Sequence, residues 1–381
     1  MAAFFGLGAV PVFCNVLGNS RAEALTALRA PIDLAYCAGC GLVCNLAFDP
    51  QLVQYSPSYE NSLRFSSRFQ EYEQHTSRRL VREYQLYGKD IVEVGCGDGD
   101  FLNMLCELGA NRGIGLDPSH DPETAAAVSR SQSVRIVPEA LSAAHSEYQA
   151  DFVCCRHVLE HVERPLDFLK SIRATIGARS GCVVYFEVPN VLYTLRDMGV
   201  WDIIYEHCSY FTPKSLAHVF ERAGFGVIAV AEQYEGQFVA IEASVARPRG
   251  RASSSCPSTD DGIDELVARF CYVYREKVAL WKERLSRLLE QGRKVVLWGA
   301  GSKGVTFLNV LDVGCEQVEY VIDVNPRKQG KFVACTGQSV VAPEFLREYR
   351  PDNVVIMNPI YLQEIRKALA AFALSSEVVV A

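Results

Sequence analysis

At 381 residues the chain is too long for one ordinary hydrophobic core, so two or three domains are expected. Hydrophobic residues make up 49% and charged residues 22%, the balance of a packed globular protein, which excludes a disordered chain. A net charge of -7, a pI near 5.6 and the lack of a long Lys/Arg run argue against nucleic acid as partner, and no apolar run reaches membrane-spanning length.

The stretch from Ala2 to Cys14 is apolar, but its first basic residue is Arg21 and Pro11 interrupts it. It therefore reads as a buried strand rather than a signal peptide. The 14 cysteines lack the regular spacing of a small secreted scaffold. They read as thiols of a reducing compartment, which places the protein in the cytoplasm. Cys37-Ala38-Gly39-Cys40-Gly41 is a C-x-x-C-G knuckle, a turn that presents two thiolates to one zinc ion. Cys14 is the natural third ligand and Cys44 the candidate fourth. A second C-x-x-C pair is missing, so a degenerate knuckle without metal stands beside this reading.

Helical spacing runs from Ser66 to about Leu86. Short buried strands follow at Asp90–Val94, Gly113–Asp117, Val134–Val137, Asp151–Cys155 and Cys182–Val188, alternating with helical patterns. That alternation predicts a mainly parallel sheet covered on both faces. Arg247 to Gly262 is rich in Ser, Pro, Arg, Gly and Asp and reads as a linker. A helix is expected from Ile263 to Glu290. A second strand–glycine–helix unit follows: Lys294–Trp298, then Gly299-Ala300-Gly301-Ser302-Lys303-Gly304, with further strands at Tyr320–Asp323 and Asn353–Met357. The expected division is 1–65 for a cysteine-knuckle segment, 66–247 for a first α/β domain, 248–290 for linker and helix, and 291–381 for a second.

The most informative passage is Glu93-Val94-Gly95-Cys96-Gly97-Asp98-Gly99 between a strand and a helix. Glycines permit a tight turn and close backbone approach to a ligand, and the helix start supplies free N–H groups. Asp117 ends the next strand 22 residues after Gly95, a spacing that suits a carboxylate accepting from both ribose hydroxyls. A nicotinamide cofactor would use similar geometry.

This passage resembles the E-x-G-C-G-x-G signature of class I S-adenosylmethionine-dependent methyltransferases. Asp151 to Val162, with its Val158-Leu159-Glu160-His161-Val162 core, resembles that family's fourth strand and following turn. The resemblance implies cofactor contacts from Glu93, Gly95, Gly97, Gly99, Asp117 and His157. His161 is read as a satisfied structural histidine. The order of knuckle, methyltransferase and terminal glycine-rich domain resembles the sugar C-methyltransferase family, whose members methylate nucleotide-linked keto-sugars. Tyr205-Glu206-His207-Cys208-Ser209-Tyr210-Phe211-Thr212 is similar to that family's E-H-x-S-Y-F-S block. Two departures stand out: the first cysteine pair is reduced to Cys14, and the glycine loop is Gly-Cys-Gly-Asp-Gly rather than the G-S-N-D-G type.

Carbon methylation beside a ketone requires a base to remove a C–H proton, and histidine suits this because its pKa lies near working pH. The resemblance implies that His207 is the base, with Glu206 and Tyr210 nearby. A structural turn before a helix capped by Thr212 is the alternative. In the terminal domain, Lys303 and Lys328 add charge beside a glycine-lined helix start, an anion cradle suited to a diphosphate. Tyr59 lies in a segment loosely similar to the family's substrate segment. The expected fold is thus α/β: a Rossmann-like methyltransferase sheet with a small cysteine-rich N-terminal segment and a second, C-terminal Rossmann-like domain. The expected activity is S-adenosylmethionine-dependent methyl transfer to a small molecule, nucleotide-linked or otherwise anionic, in a biosynthetic pathway, with C-methylation after His-assisted deprotonation beside a carbonyl as the favoured reaction. The alternatives are an O- or N-methyltransferase of a natural product and a nicotinamide-dependent oxidoreductase using the C-terminal domain.

Overall fold

The computed structural model describes all residues except 121–132, 143, 146–147, 149, 178, 180 and 246–261. The linker expected over Arg247 to Gly262 therefore lies outside the described residues except at Gly262. Three sheets organise the rest.

The first sheet contains β1 (Ala2–Pro11), β2 (Arg29–Tyr36) and β3 (Val43–Asn45) in antiparallel order. The central sheet is built from β4 (Asp90–Val94), β5 (Arg112–Leu116), β6 (Val134–Val137), β7 (Phe152–Arg156) and β8 (Val183–Pro189). The short β9 (Ser209–Tyr210) leaves that sheet and pairs with β3, Val43 facing Tyr210 and Cys44 facing Ser209. The chain then returns to the central sheet with β10 (Gly226–Gln233) and β11 (Phe238–Ser244). The C-terminal sheet holds β12 (Val295–Trp298), β13 (Tyr320–Ile322), β14 (Ser339–Val341), β15 (Asn353–Ile356) and β16 (Glu377–Val380).

The central order is β6-β5-β4-β7-β8-β11-β10, with β11 antiparallel to both of its neighbours and the remaining pairings parallel. This is a Rossmann-like α/β sheet with an antiparallel pair at one edge. Its middle strands are buried on both faces, which is why Ile91, Val92, Val94, Phe152 and Val184 form apolar runs instead of alternating with polar residues. The C-terminal sheet, β14-β13-β12-β15-β16, is parallel throughout. In both sheets the strand order reverses beside the first strand of the unit, β4 or β12. The loops leaving neighbouring strands part there and open a crevice at the C-terminal strand ends. No helix among the described residues is long and apolar enough to cross a membrane.

The N-terminal segment differs from expectation in two ways. β1 is an edge strand with mixed exposure; only Phe5, Val10 and Pro11 are buried along it, because it has a partner on one side alone. The segment also shares its core with the far end of the chain. Phe5 packs edge-on against Phe270 and Tyr274 of the helix Ile263–Glu290, with ring centroids 5.2 and 4.7 Å apart. Phe307 of the helix Ser302–Leu311 meets both Trp201 and Trp281. Phe270 is fully buried, so its loss to alanine is expected to cost about 3–5 kcal/mol.

The same hairpin decides the cysteine question. Pro11 pairs with Arg29 and Ala2 with Tyr36, so Cys14 lies beyond one end of the hairpin and Cys37 beyond the other. At a rise of about 3.3 Å per residue the two ends stand roughly 20 Å apart. Cys14 is buried, its thiol 3.9 Å from the Thr306 hydroxyl. The expectation that Cys14 completes a site with Cys37, Cys40 and Cys44 is therefore corrected. The Cys37–Cys40 turn itself forms, closed by Gly41 N–H donating to the Cys37 carbonyl at 2.8 Å. Among the described residues these cysteines enter no group of three mutually close ligands.

Candidate active site

The glycine loop leaves β4 with Gly95, Gly97 and Gly99 at φ of 74°, 52° and 80°. A side chain at Gly95 would put its Cβ 2.1 Å from Val158, so the loop folds flat against the turn that follows β7. Asp117, just past β5, holds the loop in place: one carboxylate oxygen accepts Gly97 N–H at 2.7 Å, and the other accepts Ser119 N–H and Oγ–H at 2.8 and 2.6 Å. Beneath the loop, Glu93 is buried with one oxygen lacking a partner, and burial pushes its carboxyl up to about 8.

Beyond the loop opens a cavity of about 620 Å³. It runs from Gly95 and Gly97 to Gly299–Gly304 of the second glycine loop, which leaves β12. The second loop repeats the construction of the first. Asp323, just past β13, accepts Ala300 N–H at 2.7 Å and Asn325 N–H at 2.8 Å. A side chain at Gly304 would strike the Gly299 carbonyl oxygen at 2.0 Å, so the helix start and the loop are in contact.

His157 and His207 also line this cavity. His157, left-handed at φ 56°, stacks edge-on against Phe238 at 4.5 Å and stands 3.1 Å from the buried Glu187 carboxylate. His207 is buried, and its Nδ1 has no hydrogen-bond partner. Burial, with His161 adding to it, holds its pKa well below the ordinary range, so the ring is neutral at working pH.

His161 was expected to be structural, yet it lines the same cavity with its ring 4.9 Å from that of His207. Its Nδ1 meets the Tyr55 hydroxyl at 2.8 Å and the Glu206 carbonyl at 3.0 Å, and burial lowers its pKa to about 4. Glu160 completes the group: it is buried, has an unpartnered Oε2, and burial raises it to about 8. The signal for both residues was present in the Val158–Val162 turn, which leaves β7 at the switch point.

Two expected members are placed elsewhere. The Tyr210 hydroxyl donates to the Ile204 carbonyl at 2.8 Å and stands 3.2 Å from Ile204 N, so it closes its own loop instead of facing an acceptor. The Glu206 carboxylate is fully buried and turned toward the N-terminal segment, accepting Cys14 N–H at 3.0 Å. It does not line the cavity. The reason is local: residues 205 and 206 form a turn, with His207 N–H donating to the Ile204 carbonyl at 3.3 Å, and the Glu206 carboxylate is held by the Cys14 N–H. Thr212 caps the helix Pro213–Arg222 through a reciprocal bond pair with Ser215, so block and cap coexist.

Tyr59, Lys303 and Lys328 all line the cavity. Tyr59 packs edge-on against Tyr55 and Phe13 at 5.0 and 6.0 Å. The Lys303 ammonium pairs with Asp202, and the Lys328 ammonium donates to Asn15 Oδ1 and the Ala300 carbonyl, both at 3.2 Å. Arg327, not singled out by the sequence, bridges Asp98 of the first glycine loop at 2.7 Å and Glu60 at 3.1 Å. A second unexpected group, Arg156, lines the cavity between Glu73 at 2.7 Å and Glu187 at 3.3 Å.

Residues 65–230 match a methyltransferase domain model and residues 267–380 a C-methyltransferase C-terminal domain model. The C-methyltransferase NovU of Streptomyces niveus is 25% identical over 374 residues, covering 94% of this chain and 87% of that one. A ubiquinone biosynthesis O-methyltransferase of Cupriavidus pinatubonensis is 29% identical over 160 residues, 38% of this chain and 62% of that one. The 1,6-didemethyltoxoflavin-N1-methyltransferase of Burkholderia thailandensis, a solved structure, has 14% identity and a TM-score of 0.37, covering 56% of this chain and 95% of that one. The two domain matches and the relative that spans nearly the whole chain make the protein an S-adenosylmethionine-dependent methyltransferase, and its central fold and glycine loop resemble those of class I. Both of its matched domains, in this order, resemble those of the C-methyltransferases.

Proposed function

We propose that the protein methylates a carbon beside a carbonyl of a small, nucleotide-linked acceptor in a biosynthetic pathway. The observation that carries this reading is one cavity in which a neutral, unpartnered His207 stands between two glycine loops of like construction. Segment 66–247 serves methyl transfer and 291–381 holds the acceptor, while 1–65 and 248–290 join them.

The residues present fit the cofactor. Gly95 and Gly97 give backbone approach at the cavity wall, Asp117 pins Gly97 and keeps about one acceptor site for a ribose hydroxyl, and Glu93 and His157 stand beneath and beside the loop. S-adenosylmethionine supplies an electrophilic methyl group on a sulfonium. His207 takes the acidic proton from the acceptor carbon, and the resulting enolate carbon is the nucleophile. The low pKa keeps the imidazole in the form a base requires. The cost is weak proton affinity. As the imidazolium forms, the nearby Glu160 is drawn toward its ionised state and offsets that cost. Lys303, Lys328 and Arg327 supply positive charge for a diphosphate at the second loop.

The test uses a nucleoside diphosphate 4-keto sugar in deuterium oxide. Wild-type enzyme with S-adenosylhomocysteine is expected to exchange the proton beside the ketone, and His207→Ala is expected to stop that exchange. An acceptor methylated on oxygen or nitrogen shows no C–H exchange, and that result would replace carbon methylation by the O- or N-methyl reading.

A further inference from the structure

Glu160, His161 and His207 form the one group among the described residues whose ligand atoms converge closely enough for a metal ion, all within 4.8 Å of one another. We propose that these three side chains bind a divalent transition-metal ion, and that the bound ion shuts off methyl transfer by occupying His207.

Two features beyond proximity support the site. Glu160 Oε2 and His207 Nδ1 are both buried without a partner, and burying such groups unpaired is costly. His161 is already arranged as metal-binding histidines are. Its Nδ1 side faces the Glu206 carbonyl at 3.0 Å and the Tyr55 hydroxyl at 2.8 Å, an arrangement that accommodates an Nδ1–H donor, and its Nε2 stands 3.9 Å from Glu160 Oε1. Two imidazoles and one carboxylate on one side, with open positions toward a cavity, suit a borderline transition metal better than magnesium or calcium, which prefer all-oxygen sites. Ligand atoms around one such ion stand about 3–4 Å apart, so the group closes by a side-chain shift of about 1 Å. A metal and a proton compete for the same imidazole lone pair. The shut-off half of the proposal rests on the reading of His207 as the base; the binding half does not.

Cobalt(II) chloride separates the two halves. The protein is first changed to Cys37→Ser with Cys40→Ser, so that no knuckle thiolate contributes charge-transfer bands. One equivalent of cobalt is expected to give visible d–d bands without thiolate bands, and Glu160→Gln or His161→Ala is expected to weaken binding at least tenfold. S-adenosylhomocysteine affinity near that of the parent shows that these variants are folded. Anomalous scattering from a cobalt-soaked crystal of the unaltered chain, peaking among the three side chains, needs no variant at all. Absent bands, or bands indifferent to both substitutions, would overturn the site and leave the base reading intact. Turnover is expected to fall over the same cobalt range and return with chelator. Full turnover with the bands present keeps the site and overturns His207 as the base.

Discussion

The two glycine loops are near copies in construction and differ in the groups that flank them. Each follows the first strand of a parallel unit, and each is pinned by a carboxylate past the next strand through a 2.7 Å bond to a loop N–H. The surroundings differ. Toward the first loop the cavity is lined by Glu93 and Glu160, which burial holds in their protonated form up to about 8, and by Glu73 paired with Arg156; Lys303, Lys328 and Arg327 line it toward the second. The loop scaffold admits a ligand's backbone-facing edge; the flanking groups decide which ligand. The basic surround of the second loop suits phosphate. Arg327 reaching Asp98 ties the two loops together.

The sharpest division between the loops is catalytic. His207→Ala is expected to lower kcat by about 10²–10⁴-fold with S-adenosylmethionine affinity near wild type, since a positioned base contributes about that much. Steady-state kinetics with calorimetry reads both numbers, and normal turnover would return the block to a structural turn. Next, Asp117→Ala is expected to weaken S-adenosylhomocysteine by about 2–4 kcal/mol, roughly 30- to 1,000-fold, through the lost pin on Gly97 and a lost ribose bond. Asp323→Ala leaves that affinity within about twofold, because it pins the other loop; equal losses in calorimetry would break the division of labour.

Acidity near the first loop has a stability signature. Folded Glu93 holds its proton up to about 8, whereas an unfolded glutamate releases it near pH 4.3. The folded state binds more protons between those values. This contribution is therefore full below about pH 4.3 and lost as pH rises through about 8. Urea unfolding of apo protein is expected to show Glu93→Gln gaining on the order of 2 kcal/mol over wild type at about pH 8.5 and little at about pH 5. Glu160 and Glu206, raised to about 8 and about 7, add slopes of the same sign, so the variant flattens the profile without abolishing it. A gain independent of pH would remove Glu93 from this account.

On the basic side, Lys303→Ala is expected to raise KM for a diphosphate-bearing acceptor roughly tenfold without changing cofactor affinity, as one charge-assisted contact implies. An unchanged KM assigns the lysine to Asp202 alone. The smallest effect belongs to Tyr210→Phe. It removes a buried bond to Ile204, so stability falls by about 1 kcal/mol while kcat stays near wild type. A large kcat loss in a folded variant would restore Tyr210 to the acceptor.

What the sequence disclosed follows from the range of the interactions involved. The β4 loop, its acid and the second loop were legible because strand, glycine turn and helix are local. His207 was legible through its block of neighbours. Cys14 was misassigned because thiol spacing says nothing about a hairpin that carries Cys14 and Cys37 to opposite ends. His161 was read as a satisfied histidine, and its bonds to Tyr55 and Glu206 agree; what the sequence hid is its neighbour, because the His207 ring lies 46 residues on and is brought close by bonds such as Cys208 N–H to the Glu160 carbonyl at 3.0 Å. Glu206 and Tyr210 were placed correctly along the chain and wrongly in direction, which depends on whether the chain there is extended or looped.

The β1–β2 hairpin has a consequence for synthesis on the ribosome. Its apolar side is covered by Phe270 and Phe307, more than 200 residues downstream, and Gly18 forms a bridge with Phe332. The central sheet closes on residues 90–244 and can form early. Residues 2–36, in contrast, lack their cover until residues 270 and 307 have been made, more than 200 residues later at about 5–20 residues per second. For tens of seconds the nascent protein carries an unfinished edge, so that stretch is the natural place for a chaperone to hold and for a ribosome-stalled fragment to aggregate.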